Sequence, residues 1–116
     1  MHQSIPFQTI DWTKIPATEH KGTSGTSFWR TLEFAGLRIR MIEYSADYLA
    51  DHWCSKGHIV HCLEGAFMSE LQTGESKVQT AGMTYIVTDD ASSHRSYTEH
   101  GAKLLVIDGA FLKSEL

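Results

Sequence analysis

Residues 26–44 read T-S-F-W-R-T-L-E-F-A-G-L-R-I-R-M-I-E-Y, and they alternate with a period of two rather than 3.6. Before Ala35-Gly36, one face carries Arg30 together with the apolar residues Phe28, Leu32 and Phe34. After it, Leu37, Ile39 and Met41 point one way, and Arg38 and Arg40 the other. Such alternation is typical of strands, and Ala35-Gly36 supplies a tight turn. The stretch therefore predicts a β-hairpin.

The rest of the chain continues in short segments of β type. Residues 58–64 are apolar on both faces, which favours a strand that is covered on both sides, in a sandwich or at a subunit contact. Gly65 ends this segment, and further segments begin at Ala66, Ser76, Met83, His94 and Lys103. Roughly nine or ten strands with turn residues between them, and no convincing amphipathic helix, predict an all-β sandwich or barrel.

The length of 116 residues predicts a single domain that spans residues 1–116. Residues 26–110 carry the strand pattern of the barrel. Residues 1–25 have a less regular pattern, and we expect an N-terminal strand or arm because Trp12, Ile10 and Ile15 suggest ordered structure.

Composition narrows the classes of partner and the compartment. The net charge is -4 and the basic residues are scattered, so we expect neither a nucleic acid nor an anionic membrane surface as partner. The start of the chain lacks the basic and apolar segments of a secretory signal, and no stretch approaches the ~20 apolar residues of a spanning helix. These features predict a cytoplasmic protein. In that compartment Cys54 and Cys62 are expected as thiols or ligands.

The segment D51-H-W-C-S-K-G-H58 is the densest group of metal-competent side chains. His52 and Cys54 are two residues apart, so on a strand they would share a face. Ser-Lys-Gly then bends the chain before His58, and His94 is the best candidate for a fourth ligand. Imidazole and thiolate suit zinc, iron, nickel or copper, whereas magnesium and calcium prefer oxygen. The spacing fits one divalent metal held by these four residues, or four unrelated side chains.

Two motifs of this chain resemble those of the cupin superfamily. The first cupin motif has a His-x-His pair, a nearby Glu and a strand that ends in a Gly turn; here it reads H52-W-C-S-K-G-H-I-V-H-C-L-E-G65. The second has a Gly, a strand, a Pro-x-Gly loop and a last His; here it reads G82-M-T-Y-I-V-T-D-D-A-S-S-H94. The resemblance covers residues 37–108, and the D-H-W-C core is similar to the DHCW-motif cupins, a family without an assigned function.

The cupin resemblance implies a double-stranded β-helix, or jelly-roll barrel, with the metal inside it on His52, Cys54, His58 and His94. Cys54 stands where cupins usually have the second His, and His58 where they usually have Glu. Asp89 and Ala91 replace the loop Pro and Gly. Both substituted residues of the first motif can still bind a metal. A Cys/His set is softer than the usual one, which favours zinc over manganese.

Several of these side chains have alternative interpretations. Cys54 is a ligand, a catalytic nucleophile next to histidines, or a small core residue. Arg30 shares its face with large apolar residues, so it either points into the barrel as an anchor for a ligand carboxylate or extends its head to water from an edge or bulge. Tyr85 is assigned to substrate binding in the lumen, with core packing as the alternative.

The resemblance predicts a metal-binding monocupin with a small pocket over the metal. One interpretation is a small-molecule metalloenzyme of isomerase, lyase or oxygenase type. The alternative is a non-enzymatic domain that binds or senses a small molecule or the metal itself. The fold alone does not choose the reaction, because one scaffold hosts many chemistries. A homodimer is expected, since small monocupins usually pair and residues 58–64 are apolar on both faces.

Overall fold

The computed structural model describes residues 4–113, so the predicted domain limits and residues 1–3 of the predicted N-terminal arm lie outside the described residues. Two short 3₁₀ helices, Trp12–Lys14 and Ala110–Leu112, flank the strands. The strands within this range are β1 Thr18–Lys21, β2 Thr26–Phe34, β3 Leu37–Tyr44, β4 Tyr48–Leu49, β5 His58–Leu71, β6 Ser76–Thr80, β7 Thr84–Val87, β8 His94–Thr98 and β9 Ala102–Gly109. The all-β fold class is confirmed. No helix among the described residues is long and apolar enough to cross a membrane.

Strands β2 and β3 form the hairpin predicted for residues 26–44. Their register runs from Phe34 opposite Leu37 to Ser27 opposite Tyr44. Gly36 lies in the turn with φ of 75°, a left-handed conformation that glycine adopts without a steric penalty. The antiparallel sheet continues from β1 through β2, β3, β9, β5 and β8 to β4. The hairpin predicted from the sequence is therefore confirmed.

Strand β5 joins the two halves of the curled sheet. Its first half pairs with β7 and β9, and its second half pairs with β6 and β8. The sequence predicts that a strand ends at Gly65, but β5 runs through it for 14 residues. The register shifts between Cys62 and Glu64, and Gly65 has φ of 73°, which together bend the strand without ending it. This bend lets one strand serve both halves.

The core lies on the concave side of the sheet. Its buried apolar side chains come from β3, β5 and β9, and they are Ile42, Val60, Cys62, Phe67, Ala102, Leu104 and Val106. Trp29, Tyr44 and Tyr85 pack against this group. Cys62 is completely buried in it, as a small apolar residue. In β3, the buried residues Arg40 and Ile42 share one face, so the concave side carries charged as well as apolar side chains.

Candidate metal centre

The structure brings together Cys54, His58 and His94. Each offers one ligand atom, and these three atoms lie within 4.8 Å of one another. Cys54 and His94 face each other in an isolated antiparallel bridge that joins the loop after β4 to the start of β8. His58 is the first residue of β5. Thus three parts of the chain, with no shared strand, deliver one thiol and two imidazoles to one point.

The loop before His58 is held by a close backbone approach at Gly57. A Cβ added there would lie 2.7 Å from both Asp89 N and Val87 O. The Gly57 N–H also donates to Asp89 Oδ1 at 2.6 Å. Only glycine lets the two backbones come this near, so Gly57 fixes where His58 enters the sheet.

His58 is oriented by a carboxylate on its far side. Its Nδ1 lies 3.1 Å from Asp108 Oδ2, and its Nε2 lies 3.4 Å from Cys54 Sγ. When Nδ1–H donates to the carboxylate, the lone pair of Nε2 points toward Cys54. Histidines that bind metals commonly have such a carboxylate partner, which fixes the tautomer and the ring orientation.

The ring of His94 is also oriented through its Nδ1, but by a backbone carbonyl instead of a carboxylate. Its Nδ1 donates to the Ser92 carbonyl at 2.8 Å. Its Nε2 is buried and has no well-aligned hydrogen bond among residues 4–113, although the Cys54 thiol lies nearby. A buried polar nitrogen without a partner is unfavourable, and a metal ion would satisfy it. The donor set and this nitrogen therefore fit a bound transition metal.

Electrostatics favours the thiolate form of Cys54. Burial raises the pKa of the Cys54 thiol, but His58 and His94 favour the thiolate more strongly, and together they lower its pKa to about 5. Burial lowers the pKa of His94, but the nearby Cys54 and the bond to the Ser92 carbonyl outweigh this and raise it. The thiolate is the form that binds metals, and at neutral pH Cys54 is already in this form.

Asp108 is the centre of a buried ionic group that the sequence analysis missed. Its two oxygens accept from Arg38 Nε and Nη2, both at 3.0 Å, and Oδ2 also accepts from Arg40 Nη2 at 2.9 Å. Burial raises the pKa of Asp108, but the two guanidinium groups and His58 outweigh it and lower this pKa. The sequence did contain one indication that Asp108 points inward: it continues the alternating series of Leu104 and Val106, which are buried in β9.

His52, the fourth predicted ligand, lies outside this group. Its side chain is 74% exposed, and its Nδ1 is 2.6 Å from Asp51 Oδ1. Residues 51–52 form a bend rather than a strand, so the two-residue spacing from Cys54 does not place both side chains on one face. His52 nevertheless lines the cavity beside the three clustered residues.

A cavity of about 240 Å³ adjoins the cluster, and Tyr85 is one of the residues that line it. The Tyr85 and His94 rings meet edge to face, with centroids 6.0 Å apart. Burial raises the pKa of Tyr85 well above its usual range, so its hydroxyl stays protonated and can donate a hydrogen bond. The Ser69 side chain is within hydrogen-bond reach of this hydroxyl, and the Tyr85 side chain forms part of the wall that a molecule bound near the cluster would meet.

Arg30 does not line this cavity. Its guanidinium donates to the backbone carbonyls of Trp12 and Ile15. Its strand neighbour Trp29 takes the inward position instead and packs against the core. The alternation in β2 is regular, but the face that points inward is the one opposite to the face of Arg30. The structure therefore differs from the expectation that Arg30 anchors a ligand in the lumen.

No protein-family model matches the chain, and no curated protein matches it either. Solved structures do match. An RmlC-like cupin from Shewanella frigidimarina is 20% identical with a TM-score of 0.71, over 94% of this chain and 94% of that chain. The polyketide cyclase RemF from Streptomyces resistomycificus is 16% identical with a TM-score of 0.73, over 90% and 80% of the two chains. Ectoine synthase from P. lautus is 18% identical with a TM-score of 0.71, over 89% and 78%.

These similar structures share the curled antiparallel sheet, and the alignments extend over most of each chain. The long strand β5 and the inward-facing side chains of β9 are parts of that sheet. The chain has the cupin fold.

Proposed function

We propose that the protein is a metal-binding monocupin in which Cys54, His58 and His94 hold one divalent transition metal. The observation that carries the proposal is the convergence of their three ligand atoms within 4.8 Å. Zinc is favoured, because it accepts thiolate and imidazole together in a tetrahedral site. Iron, nickel and copper accept the same donors. The narrower assignment to the DHCW-motif cupins stays a prediction.

The three donors leave one position of a tetrahedral site for water or a small molecule. Sites with three protein ligands and an exchangeable fourth are typical of catalytic zinc, whereas four protein ligands are typical of structural zinc. The exposed position of His52 supports the first arrangement. A metal bound here would act as a Lewis acid on an oxygen of the bound molecule. Tyr85 would orient that molecule through its hydroxyl.

This arrangement supports a small-molecule metalloenzyme of isomerase, lyase or oxygenase type. Two of the similar structures are named as enzymes, a polyketide cyclase and ectoine synthase. The alternative from the sequence is a non-enzymatic domain that binds or senses a small molecule. The two differ in what the cavity does with its occupant, because an enzyme releases a changed molecule and a sensor releases the same one. A cytoplasmic location also stays a prediction.

We further propose that a second copy of the chain covers the convex side of the sheet, as a homodimer. On that side five cross-strand neighbours form one apolar row through β2, β3, β9, β5 and β7: Leu32, Ile39, Ile107, Ile59 and Ile86. Ile86, at the end of the row, is 67% exposed. A row of this kind in water is typical of a subunit contact.

The metal proposal is tested by metal content. The protein is purified without chelators, dialysed, and titrated with zinc under elemental mass spectrometry. We expect about one tightly held metal per chain, because three preorganised donors converge. His94→Ala should lose it, whereas His100→Ala, a change at an exposed turn histidine, should keep it. A wild-type protein that neither copurifies with a metal nor binds zinc would overturn the proposal.

A further inference from the structure

The cavity beside the cluster has an unusual charge for this chain. The whole protein carries a net charge of -4. Yet the side chains that line the cavity include Arg38, Arg40, Lys56 and Arg95, and no Asp or Glu among the described residues lines it. The cavity beside the proposed metal centre is therefore lined by positive side chains, although the protein as a whole is acidic.

Part of this positive charge has no partner of opposite sign. Arg38 and Arg40 share a single carboxylate, Asp108, so two guanidinium groups face one negative charge. Arg95 pairs with Glu70 at 2.5 Å. Lys56 forms no ion pair with the described part of the chain. Arg40 is the buried member of this group, and it shares its only carboxylate with Arg38; a bound anion would offset the cost of burying this charge.

Arg40 is the best placed of these cations to hold a ligand. The residue is only 5% exposed, and its Nε has no hydrogen-bond partner among the described residues. Asp108 holds one end of its guanidinium, and the Trp29 ring stacks below it at 4.5 Å. Arg40 and His58 both contact Asp108 Oδ2, at 2.9 and 3.1 Å, so this cation lies beside the proposed metal centre. It is fixed in place before any ligand binds.

The uncharged side chains that line the cavity indicate the chemistry of the rest of the ligand. Trp29, Tyr44 and Tyr85 contribute aromatic surface, and Val60 and Leu104 contribute aliphatic surface. The volume of about 240 Å³ is smaller than the 300–1,000 Å³ typical of drug-sized ligands. We infer that the cavity binds a small monocarboxylate with an apolar or unsaturated body, and that Arg40 anchors its carboxylate. This inference rests on the proposed function, since it names the class of molecule that the metal would face.

Calorimetry with matched pairs of probes tests this inference. Each carboxylate is compared with its neutral amide: benzoate with benzamide, nicotinate with nicotinamide, and lactate with lactamide. The pairs have nearly the same shape and differ in charge. In the zinc-loaded and in the metal-free wild-type protein, we expect at least one carboxylate to bind more than about tenfold tighter than its amide, because a charge-assisted hydrogen bond is stronger than a neutral one.

Variants then assign the preference to Arg40. Arg40→Gln should reduce the ratio of the two affinities to within about twofold, because the anchoring charge is lost. Arg30→Gln is the matched control, since Arg30 lies on the neighbouring strand and does not line the cavity; it should keep the wild-type ratio. If Arg40→Gln does not fold, Arg40→Lys replaces it. Arg40→Lys keeps a charge for Asp108 but lacks the planar fork, and the ratio should fall by about threefold or more.

Three results would overturn the inference: equal affinities within all three pairs, no binding of any carboxylate, or a preference unchanged in the folded Arg40 variant. The metal content of the same samples separates this failure from failure of the metal proposal. One zinc per chain without a preference for carboxylates defeats only the inference. A preference for carboxylates in a protein that binds no metal defeats only the metal proposal.

Discussion

Cys54 and His94 exchange both of their backbone hydrogen bonds, with Cys54 N donating to His94 O at 2.7 Å and His94 N donating to Cys54 O at 3.0 Å. The pair fixes two proposed ligands in register, although Cys54 belongs to a loop. Because backbone hydrogen bonds alone hold the two positions together, replacing either side chain should leave the backbone of both in place. Substitutions at these positions therefore test coordination rather than folding.

Cys54→Ser should weaken zinc binding by more than about a hundredfold, because the thiolate is the strongest donor of the set. The measurement is a competitive titration against a zinc chelator. Cys62→Ser is the contrasting variant: Cys62 is completely buried, so the added hydroxyl should lower the free energy of unfolding by about 1–3 kcal/mol while one zinc still binds. Equal zinc affinity in Cys54→Ser and wild type would remove Cys54 from the site.

The reactivity of Cys54 should depend on pH in an unusual way. Because its pKa is lowered to about 5, the thiolate persists as the pH falls and is lost only below that value. In metal-free protein, alkylation by iodoacetamide should thus be nearly independent of pH between about 6 and 8, whereas an ordinary thiol with a pKa near 8.5 slows about tenfold per pH unit there. Peptide mass mapping distinguishes Cys54 from Cys62. A steep slope at Cys54 would contradict the stabilised thiolate.

Asp108→Asn should affect both the site and the fold. Loss of the carboxylate behind His58 is expected to weaken metal binding by about 10–100-fold. It also leaves Arg40 buried without its partner, which should cost about 3–5 kcal/mol of unfolding free energy. Zinc titration and urea denaturation measure the two effects. Glu99→Gln, an exposed carboxylate next to His100, is the control and should change neither. Wild-type zinc affinity in a folded Asp108→Asn protein would argue against the orienting role.

Gly57→Ala should weaken the metal site without touching a ligand. The added Cβ would lie 2.7–2.8 Å from backbone atoms of residues 87–89, so the loop must move and take His58 with it. We expect lower thermal stability together with weaker zinc binding. Gly74→Ala provides the comparison: Gly74 has φ of 100° but nothing within 4 Å, so strain should lower stability by about 1 kcal/mol and leave zinc affinity intact. Identical zinc affinity in both variants would contradict the role of Gly57.

Ile86→Lys should separate the proposed dimer, because a charge at the exposed end of the apolar row opposes burial against a second copy. Sedimentation at micromolar concentration is the measurement. Val78→Lys, a similar change at an exposed position of β6 away from this row, should leave the dimer intact. Sedimentation of the wild-type protein as a monomer would contradict the dimer directly.

Much of the fold followed from local patterns. The alternation of residues 26–44 predicted the hairpin, and the spacing between turn residues predicted an all-β barrel. Which face points inward did not follow, because Arg38 and Arg40 enter the core only through Asp108, 70 and 68 residues along the chain. Without that partner, two arginines on one face look solvent-exposed. Because the inward face could not be identified from the sequence, Arg30 was predicted on the wrong side, in the lumen.

Of the four side chains that the sequence proposes as ligands, Cys54, His58 and His94 converge, whereas His52 does not join them. The same-face argument for His52 and Cys54 assumes an extended strand, whereas the backbone bends at residues 51–52. Asp108 was missed because its sequence neighbours carry no metal donor, and its role depends on where β9 lies beside β5.

X-ray absorption at the zinc edge of the zinc-loaded protein reports the donor atoms of the metal themselves. We predict one sulfur at about 2.3 Å and two imidazole nitrogens at about 2.0–2.1 Å, with an oxygen or nitrogen donor completing the shell. In Cys54→Ser the sulfur contribution should disappear. A wild-type spectrum with no sulfur shell, or one unchanged by His94→Ala, would contradict a metal held by Cys54, His58 and His94.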